Sequence, residues 1–499
     1  EAGAPNSTFI SANPLGFVLQ RNYAYLPADL AAAMDRGVDG NILTPGDAIT
    51  SITVQNQFPF NVKQTFESRT SRIVTGASYD FDDNWSGDIY YTYGETKSEM
   101  TLNDFGDTIA MANALTAVRD INGNVTCATG GQYCVPWNVF GRVPEPLNVH
   151  KYLNPQNKYF NENNQQALEA TITGTLFELP AGPVDVAAGG GYRKETLNTS
   201  TDALGLAGKR NGFNGNPGAM MYLNAPAIKG DLELFEGFGE AQIPLLSDLP
   251  FIQTLDANVA ARYTDYSTSG GVTTWKAGLV WVPFDGLRFR VARSRDIRAA
   301  NLVELFNPSS SGFGNVRDPR KGGASVSFVP ITSGDPNLQP EEADTTTIGV
   351  VWNPSFFPQF TATVDYFNFK FKDEIIEESG SRLYATMFPG GANVNCGAPA
   401  FAELQARFTF AGACGAANVA RLRSFTINGP NTKTSGLEFR AQYDWDGWFD
   451  ASWTVGAEAT YLIEYKRGAT SLLGTDIAIS PAEDRAGLSD LVNEFFSYS

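Results

Sequence analysis

Between residues 233 and 306 the chain reads ELFEGFGEAQIPLLSDLPFIQTLDANVAARYTDYSTSGGVTTWKAGLVWVPFDGLRFRVARSRDIRAANLVELF. From Leu255 to Tyr263 the odd positions are Leu255, Ala257, Val259, Ala261 and Tyr263, and the even ones are Asp256, Asn258, Ala260 and Arg262. A side-chain period of two puts these sets on opposite faces of a strand, one apolar and one mostly polar. Trp275, Ala277, Leu279 and Trp281 repeat the pattern. Pro283-Phe284-Asp285-Gly286 turns the chain, after which Leu287, Phe289 and Val291 take one face and Arg288 and Arg290 the other. Strands of this kind separate two different solvents, and suit a barrel wall with lipid outside and a wet lumen inside.

The same alternation recurs along the chain. Ile73, Thr75, Ala77 and Tyr79 precede a turn at Asp82-Asp83-Asn84, and Ile89, Tyr91 and Tyr93 follow it. Leu168, Ala170 and Ile172 alternate with Glu169, Thr171 and Thr173 before the Pro180-Ala181-Gly182-Pro183 turn. Two strands are expected at Thr345–Trp352 and Phe360–Phe371, then one in which Leu437, Phe439, Ala441 and Tyr443 oppose Glu438, Arg440 and Gln442, and a last in WTVGAEATYLIEY. Alternation therefore marks roughly a dozen strands. Short helices are expected from Pro27 to Gly37, around Ile109–Val118 and over Phe401–Phe408. Residues 1–62 read as a loop region carrying the first helix, and 63–499 as strands and loops of one barrel domain. Short turns alternate with connections often tens of residues long. Such long loops are uncommon in compact domains, whereas outer-membrane barrels have short turns at one end and long loops at the other.

The chain has 499 residues, 12% aromatic and 18% charged, with a mean hydropathy of −0.20. No run is apolar enough for a transmembrane helix, but alternation hides a barrel from hydropathy averages. Its 49 glycines suit a turn-rich all-β protein; soluble β-sandwiches share that composition, so composition leaves both open. The net charge of −18 argues against nucleic acid as a partner. The acidic residues, spread through loops and turns, read as solvated surface.

The runs EGFGEAQIPLL, ARYTDYS, TTWKAGLVWVP, LRFRVARSRDIRAANLVELF and NLQPEEADTTTIGV, in that order, strongly resemble the barrel domain of TonB-dependent outer-membrane receptors. YLPADLAAAMDRG and the CVP-x-N-x-FG run that begins at Cys134 also match; Ala300 departs, where relatives usually carry Pro. The resemblance implies an all-β, up-and-down transmembrane barrel with long extracellular loops, of which this chain carries an incomplete portion. Family barrels have twenty-two strands and end on an aromatic strand, which FFSYS does not form. They also carry a plug domain and a TonB box, neither visible here. Glu1 opens without a signal peptide, which suggests a fragment or a processed chain.

The cysteines fall as Cys127 with Cys134 and Cys396 with Cys414. Two close pairs in an exported chain favour two local disulfides over free thiols. For the first pair, the resemblance implies the disulfide and an extracellular position. With one histidine, His150, and no Cys-x-x-Cys, neither a metal site nor an enzyme is expected, and no cofactor. The Asp-rich run DFDDNWSG reads as a polar turn, not a calcium loop. Gly189-Gly190-Gly191 reads as small residues at a crowded wall, not a phosphate loop.

Glu236, Glu240, Asp256, Asn258, Arg262, Arg288, Arg290, Glu438 and Arg440 are expected on the lumen face, where they either meet a plug or ligand or satisfy one another across strands. Arg295 and Arg298 lie near the loop end, where arginines suit an anionic ligand or a structural pairing. The resemblance implies TonB-dependent import of a scarce nutrient (ferric siderophore, cobalamin, haem or oligosaccharide) across the outer membrane of a Gram-negative bacterium. The implied partners are outer-membrane lipid and lipopolysaccharide, the ligand, and TonB–ExbB–ExbD through the plug. The alternatives are a passive porin or adhesin barrel, and a soluble secreted β-rich protein that binds or hydrolyses glycans.

Overall fold

Wherever the sequence alternates, the chain is extended. The computed structural model describes residues 15–36, 49–56, 63–141, 146–206, 227–311, 314–415, 418–448 and 451–486. The long strands are β1 (Lys63–Asp80), β2 (Trp85–Asn103), β3 (Asn157–Leu179), β4 (Gly182–Thr201), β5 (Lys229–Leu249), β6 (Ile252–Tyr266), β7 (Gly270–Phe284), β8 (Leu287–Arg298), β9 (Glu341–Trp352), β10 (Phe360–Lys372), β11 (Thr432–Trp448) and β12 (Ala451–Arg467). Each pairs antiparallel with the next, and a short strand, Glu483–Asp484, adds to β12; together they form one thirteen-stranded up-and-down sheet. The terminal run FFSYS lies outside the described residues.

Directly paired residues share a face, so the register sorts the side chains. Leu255↔Trp281, Ala257↔Leu279, Val259↔Ala277 and Ala261↔Trp275 stand on the apolar face. Val259 and Leu279 are each 41% exposed and Trp281 37%; so much uncovered hydrocarbon on an isolated wall marks a surface made for a non-aqueous neighbour. Near the short turns this face carries aromatic rings. Trp281 stacks on Phe289 at 5.0 Å, and Phe357, Tyr443, Trp445 and Trp453 continue the row at 5.2–6.1 Å.

Local chemistry explains the turns. Pro283 has no N–H to donate, and the β7–β8 pairing skips it, running from Trp281↔Phe289 to Phe284↔Leu287. Gly286 closes that hairpin at φ 84°, where a Cβ would run into the Asn353 carbonyl. In the β1–β2 turn Asp82 accepts the N–H groups of Asn84 and Trp85 at 2.8 and 2.9 Å.

At the other end the long connections fold on themselves. Strands Leu15–Gln20 and Ser51–Asn56 pair with each other. Leu19, Tyr23, Met111, Ala114, Trp137, Val149 and Leu153 form a buried core joining the first described residues to the β2–β3 connection. The three expected helices are present as Ala28–Asp35, Thr108–Ala114 and Ala402–Ala406. The connections after β8, read as a long loop, and after β10, read as a loop with one short helix and a cysteine pair, hold more structure than expected: Ala324–Ser333 and Val419–Asn428 run parallel in a six-stranded sheet. Its core is Val316, Phe328, Leu383, Tyr384, Met387, Phe388, Leu404, Phe408 and Leu422, joined by Leu472 and Ile479 from beyond β12. Both disulfides are formed, Cys127–Cys134 and Cys396–Cys414, the second packed against this core.

Candidate functional site

The nine polar positions expected to face a lumen all stand on the polar face. Cross-strand pairing joins Ala260↔Glu240, Thr264↔Glu236 and Asn258↔Gln242 between β6 and β5. It joins Asp256 to Val280 and Val280 to Arg290, Arg288 to Val351 and Arg290 to Gly349, Gly349 to Asp365, and Asp365 to Glu438 and Thr363 to Arg440. Several are already paired there. Arg262 meets Glu236 at 3.2 Å and lies 4.8 Å from the Phe238 ring centre. Arg290 grips Asp365 through Nε and Nη2 at 2.7–3.0 Å, and Arg440 meets Glu458 at 3.3 Å. Among the described residues Glu240, Asp256, Arg288 and Glu438 make no ion pair, so they remain open to solvent or ligand.

Glycines clear the room for these groups. A Cβ at Gly349 would collide with the Asp365 carboxylate and with Arg290, and one at Gly189 would sit 2.6 Å from the edge of Phe238. Gly189 is therefore a bed for the Phe238 ring on the polar face, Gly191 stands opposite Glu236 on that face, and Gly190 is on the apolar one. Asp365, Glu458 and Phe238 were not expected as site residues. Asp365 was the most legible, being the one acid in the run FTATVDYFNFKFK.

Further along β10, Phe367, Phe369 and Phe371 form a column on the polar face, with ring centres 5.4 and 6.3 Å apart. They stand over Thr347, Thr345 and Ala343 of β9 and Gly436 and Thr434 of β11. At the short-turn end of the same face a concavity of about 670 Å³ is lined by Asp82, Asp185, Glu240, Gln242 and Asn258 among others. No cluster of His, Cys, Asp and Glu able to hold a metal occurs among the described residues.

Arg295 and Arg298 part company. The register puts Arg295 on the apolar face, opposite Asp344, and Arg298 on the polar face, opposite Glu341. Both guanidiniums are engaged: Arg295 by Asp344 at 2.9 Å, Arg298 by Glu341 at 2.8 Å and Glu304 at 3.0 Å. Glu304 also accepts the Asn301 N–H while Asn301 caps Val303 and Glu304, and Glu341 accepts the Ile375 N–H at 2.6 Å. The recognisable run from Arg298 to Phe306 is thus a clamp at the root of the loops.

The loop cap has its own polar knots. Arg320 holds Asp318 through two nitrogens at 3.0 and 2.9 Å, donates to the Tyr384 hydroxyl at 2.6 Å and lies 4.1 Å from the Phe388 ring centre. Tyr384 in turn donates to Asp318 at 2.8 Å. Burial, reinforced by the Asp318 carboxylate, pushes the Tyr384 phenol up to about 12. Burial alone would raise Asp318, but hydrogen bonds from Arg320 and Tyr384 outweigh it and hold the carboxyl below its ordinary range. A second knot is Glu378, fully buried, which accepts from Arg407 at 3.4 Å and from the N–H groups of Phe425 and Leu473, each at 3.0 Å.

A family model described as TonB dependent receptor-like, beta-barrel, matches residues 8–488. The chain belongs to this family. In a TonB-dependent receptor-like barrel the apolar face of the sheet is the outer one, the polar face lines the interior, and the long loops lie outside the cell. No curated protein matches the chain. Among solved structures, a mutant of the ferric enterobactin receptor PfeA from Pseudomonas aeruginosa is 13% identical, with 82% of this chain and 48% of that one covered, at a TM-score of 0.45. For the siderophore receptor PirA from Pseudomonas aeruginosa the values are 14%, 82%, 60% and 0.38, and for the RagAB peptide transporter 10%, 83%, 38% and 0.47. The chain spans 38% to 60% of the length of these three proteins.

Proposed function

We propose that this chain is barrel wall and loop cap of a receptor that imports a scarce nutrient across the outer membrane of a Gram-negative bacterium, using TonB–ExbB–ExbD, and that it is not an enzyme. The observation that carries the reading is the two-faced sheet with its folded cap: charged and amide side chains from β5 to β11 converge on one face, while the other offers hydrocarbon to lipid. In this scheme the cap selects the ligand. The paired interior arginines keep the wall rigid, and the unpaired Glu240, Asp256, Arg288 and Glu438 meet the plug or the passing ligand. TonB pulls on the plug expected inside such a barrel to open the path. The cargo belongs to the range named above: ferric siderophore, cobalamin, haem or oligosaccharide.

The test is uptake by cells carrying the full-length receptor, with and without TonB. Uptake of a cargo that requires both receptor and TonB is expected. Uptake that continues without TonB would make the wall a passive pore instead.

A further inference from the structure

The outer face carries an unexpected row of cations at its loop end. Lys370 of β10 stands directly opposite Lys433 of β11, and Lys433 directly opposite Lys466 of β12. Like charges directly opposed across strands repel. Arg293 and Arg295 of β8 and Lys372 of β10 share this face. The carboxylates available do not cover the row. Glu464 is shared between Lys433 and Lys466 (2.5 and 2.8 Å), with Asp484 4.0 Å from Lys466. Asp344, the residue opposite Lys370, is taken by Arg295 at 2.9 Å, with Lys372 at 3.8 Å, and Glu342 lies 3.6 Å from Arg295 and 3.7 Å from Lys372, which leaves four carboxylates for six cations. Lys370 and Arg293 make no ion pair among the described residues. A second cross-strand cation pair, Arg69–Lys97, is relieved by Glu95 and Glu162 at 2.8 and 3.7 Å from the lysine. Lys194 likewise lies beside Glu233 and Asp231.

Height tells what meets the row. Phe360, on the same face of β10, belongs to the aromatic band at the short-turn end, 5.8 Å from Phe357. From Phe360 to Lys370 the strand climbs about 33 Å, or about 25 Å along the membrane normal at an ordinary barrel tilt, which is the height of an outer-membrane apolar band. The ammonium groups therefore stand at the head-group level of the outer leaflet, facing lipid, in a protein whose net charge is −18.

We propose that the outer face of β8 to β12 binds the phosphate-bearing head group of an outer-leaflet lipid, seated against Lys370, Lys433, Lys466 and Arg293. Lipid phosphate supplies the negative charge that the cross-strand row lacks, and the acyl chains lie on the band of Ile348, Val350 and Val364 below. This site is separate from the import path and does not depend on which cargo is carried.

The experiment is a titration of the full-length receptor in phosphatidylcholine nanodiscs with diphosphorylated lipid A, read by native mass spectrometry. Two lysines lost together, K370Q/K433Q, should weaken binding about thirty-fold, while K370R, which keeps the charge, and K194Q, on the same face outside the row, should bind as wild type. Lipid A stripped of phosphate should bind wild type as weakly as the double variant binds the intact lipid. Equal binding by wild type and K370Q/K433Q, or full competition by millimolar inorganic phosphate, would overturn the proposal. Unchanged heat-modifiable mobility of the variants on a gel guards against misfolding as the cause.

Discussion

A bare hydrogen at position 349 decides whether the Arg290–Asp365 pair can form. Gly349→Val would push a side chain into both partners and is expected to cost about 1–3 kcal/mol, as overpacking usually does. The melting temperature of the detergent-folded receptor checks this, and a Gly349→Val/Asp365→Ala double variant, which removes one obstacle, should recover part of the loss. Reading these residues from sequence was only half possible. Period two assigns Arg290 to its face without ambiguity. That Asp365 is its partner depends on β8, β9 and β10 lying side by side in one register, which no local pattern states. The same holds for Gly189 under Phe238. Arg295 and Arg298 group together in sequence at the loop end; the register sets them on opposite faces, and their carboxylate partners, supplied by β9 and by the helix beginning at Leu302, were not visible.

The strands and the loop cap answer to different forces. A strand exposed to lipid tolerates charge on one face only. Leu279→Arg, at the middle of the outer band, is expected to destabilise insertion by about 2–4 kcal/mol, whereas Asn258→Arg on the interior face should fold nearly as well. Protease-protected yield after folding into vesicles separates the two. In the cap, Asp318 is held below its ordinary pKa, so its contribution is present above about pH 4 and is lost as acid protonates it. Tyr384 and Tyr23 are both raised to about 12, chiefly by burial. Their contribution is complete below about pH 10, the unfolded phenol value, and is lost as pH climbs through 10 to 12. Tyrosinate absorbance in a pH titration should show a late-ionising class, reduced by one in Tyr384→Phe. Alternation made the wall strands legible. The cap sheet was not, because Ala324–Ser333 and Val419–Asn428 find each other only after the whole of β9 and β10 has intervened.

Across the whole molecule, rigidity is uneven by design of the chain. The wall is a continuous hydrogen-bonded ladder, while the cap is held by its own small sheets and hydrophobic cores, two disulfides and a few buried charges. Cys396→Ser/Cys414→Ser should cost the cap about 3 kcal/mol and admit protease between β10 and β11, leaving the wall intact; limited proteolysis followed by peptide mapping reads both. Sequence legibility also fell off with scale. The two solvents were written in the period, the long–short rhythm of connections in the spacing of the strands, and the family motifs named the architecture. The meeting of three separate connections in one cap was not written anywhere locally.

The Glu378 carboxylate has a consequence for how ligand choice can be re-engineered. It is buried in the connection after β10, yet its protein partners include an N–H from Leu473, beyond β12, and the hydrophobic core around it draws on the connection after β8 as well. These three segments therefore behave as one cassette. Swapping a single one for its counterpart in another receptor would strand a charge without its donors and open the core to water, and would abolish recognition for reasons unrelated to the cargo. Specificity can be transplanted only by moving the block whole, with crossover points in the strands below Arg298 and Glu341.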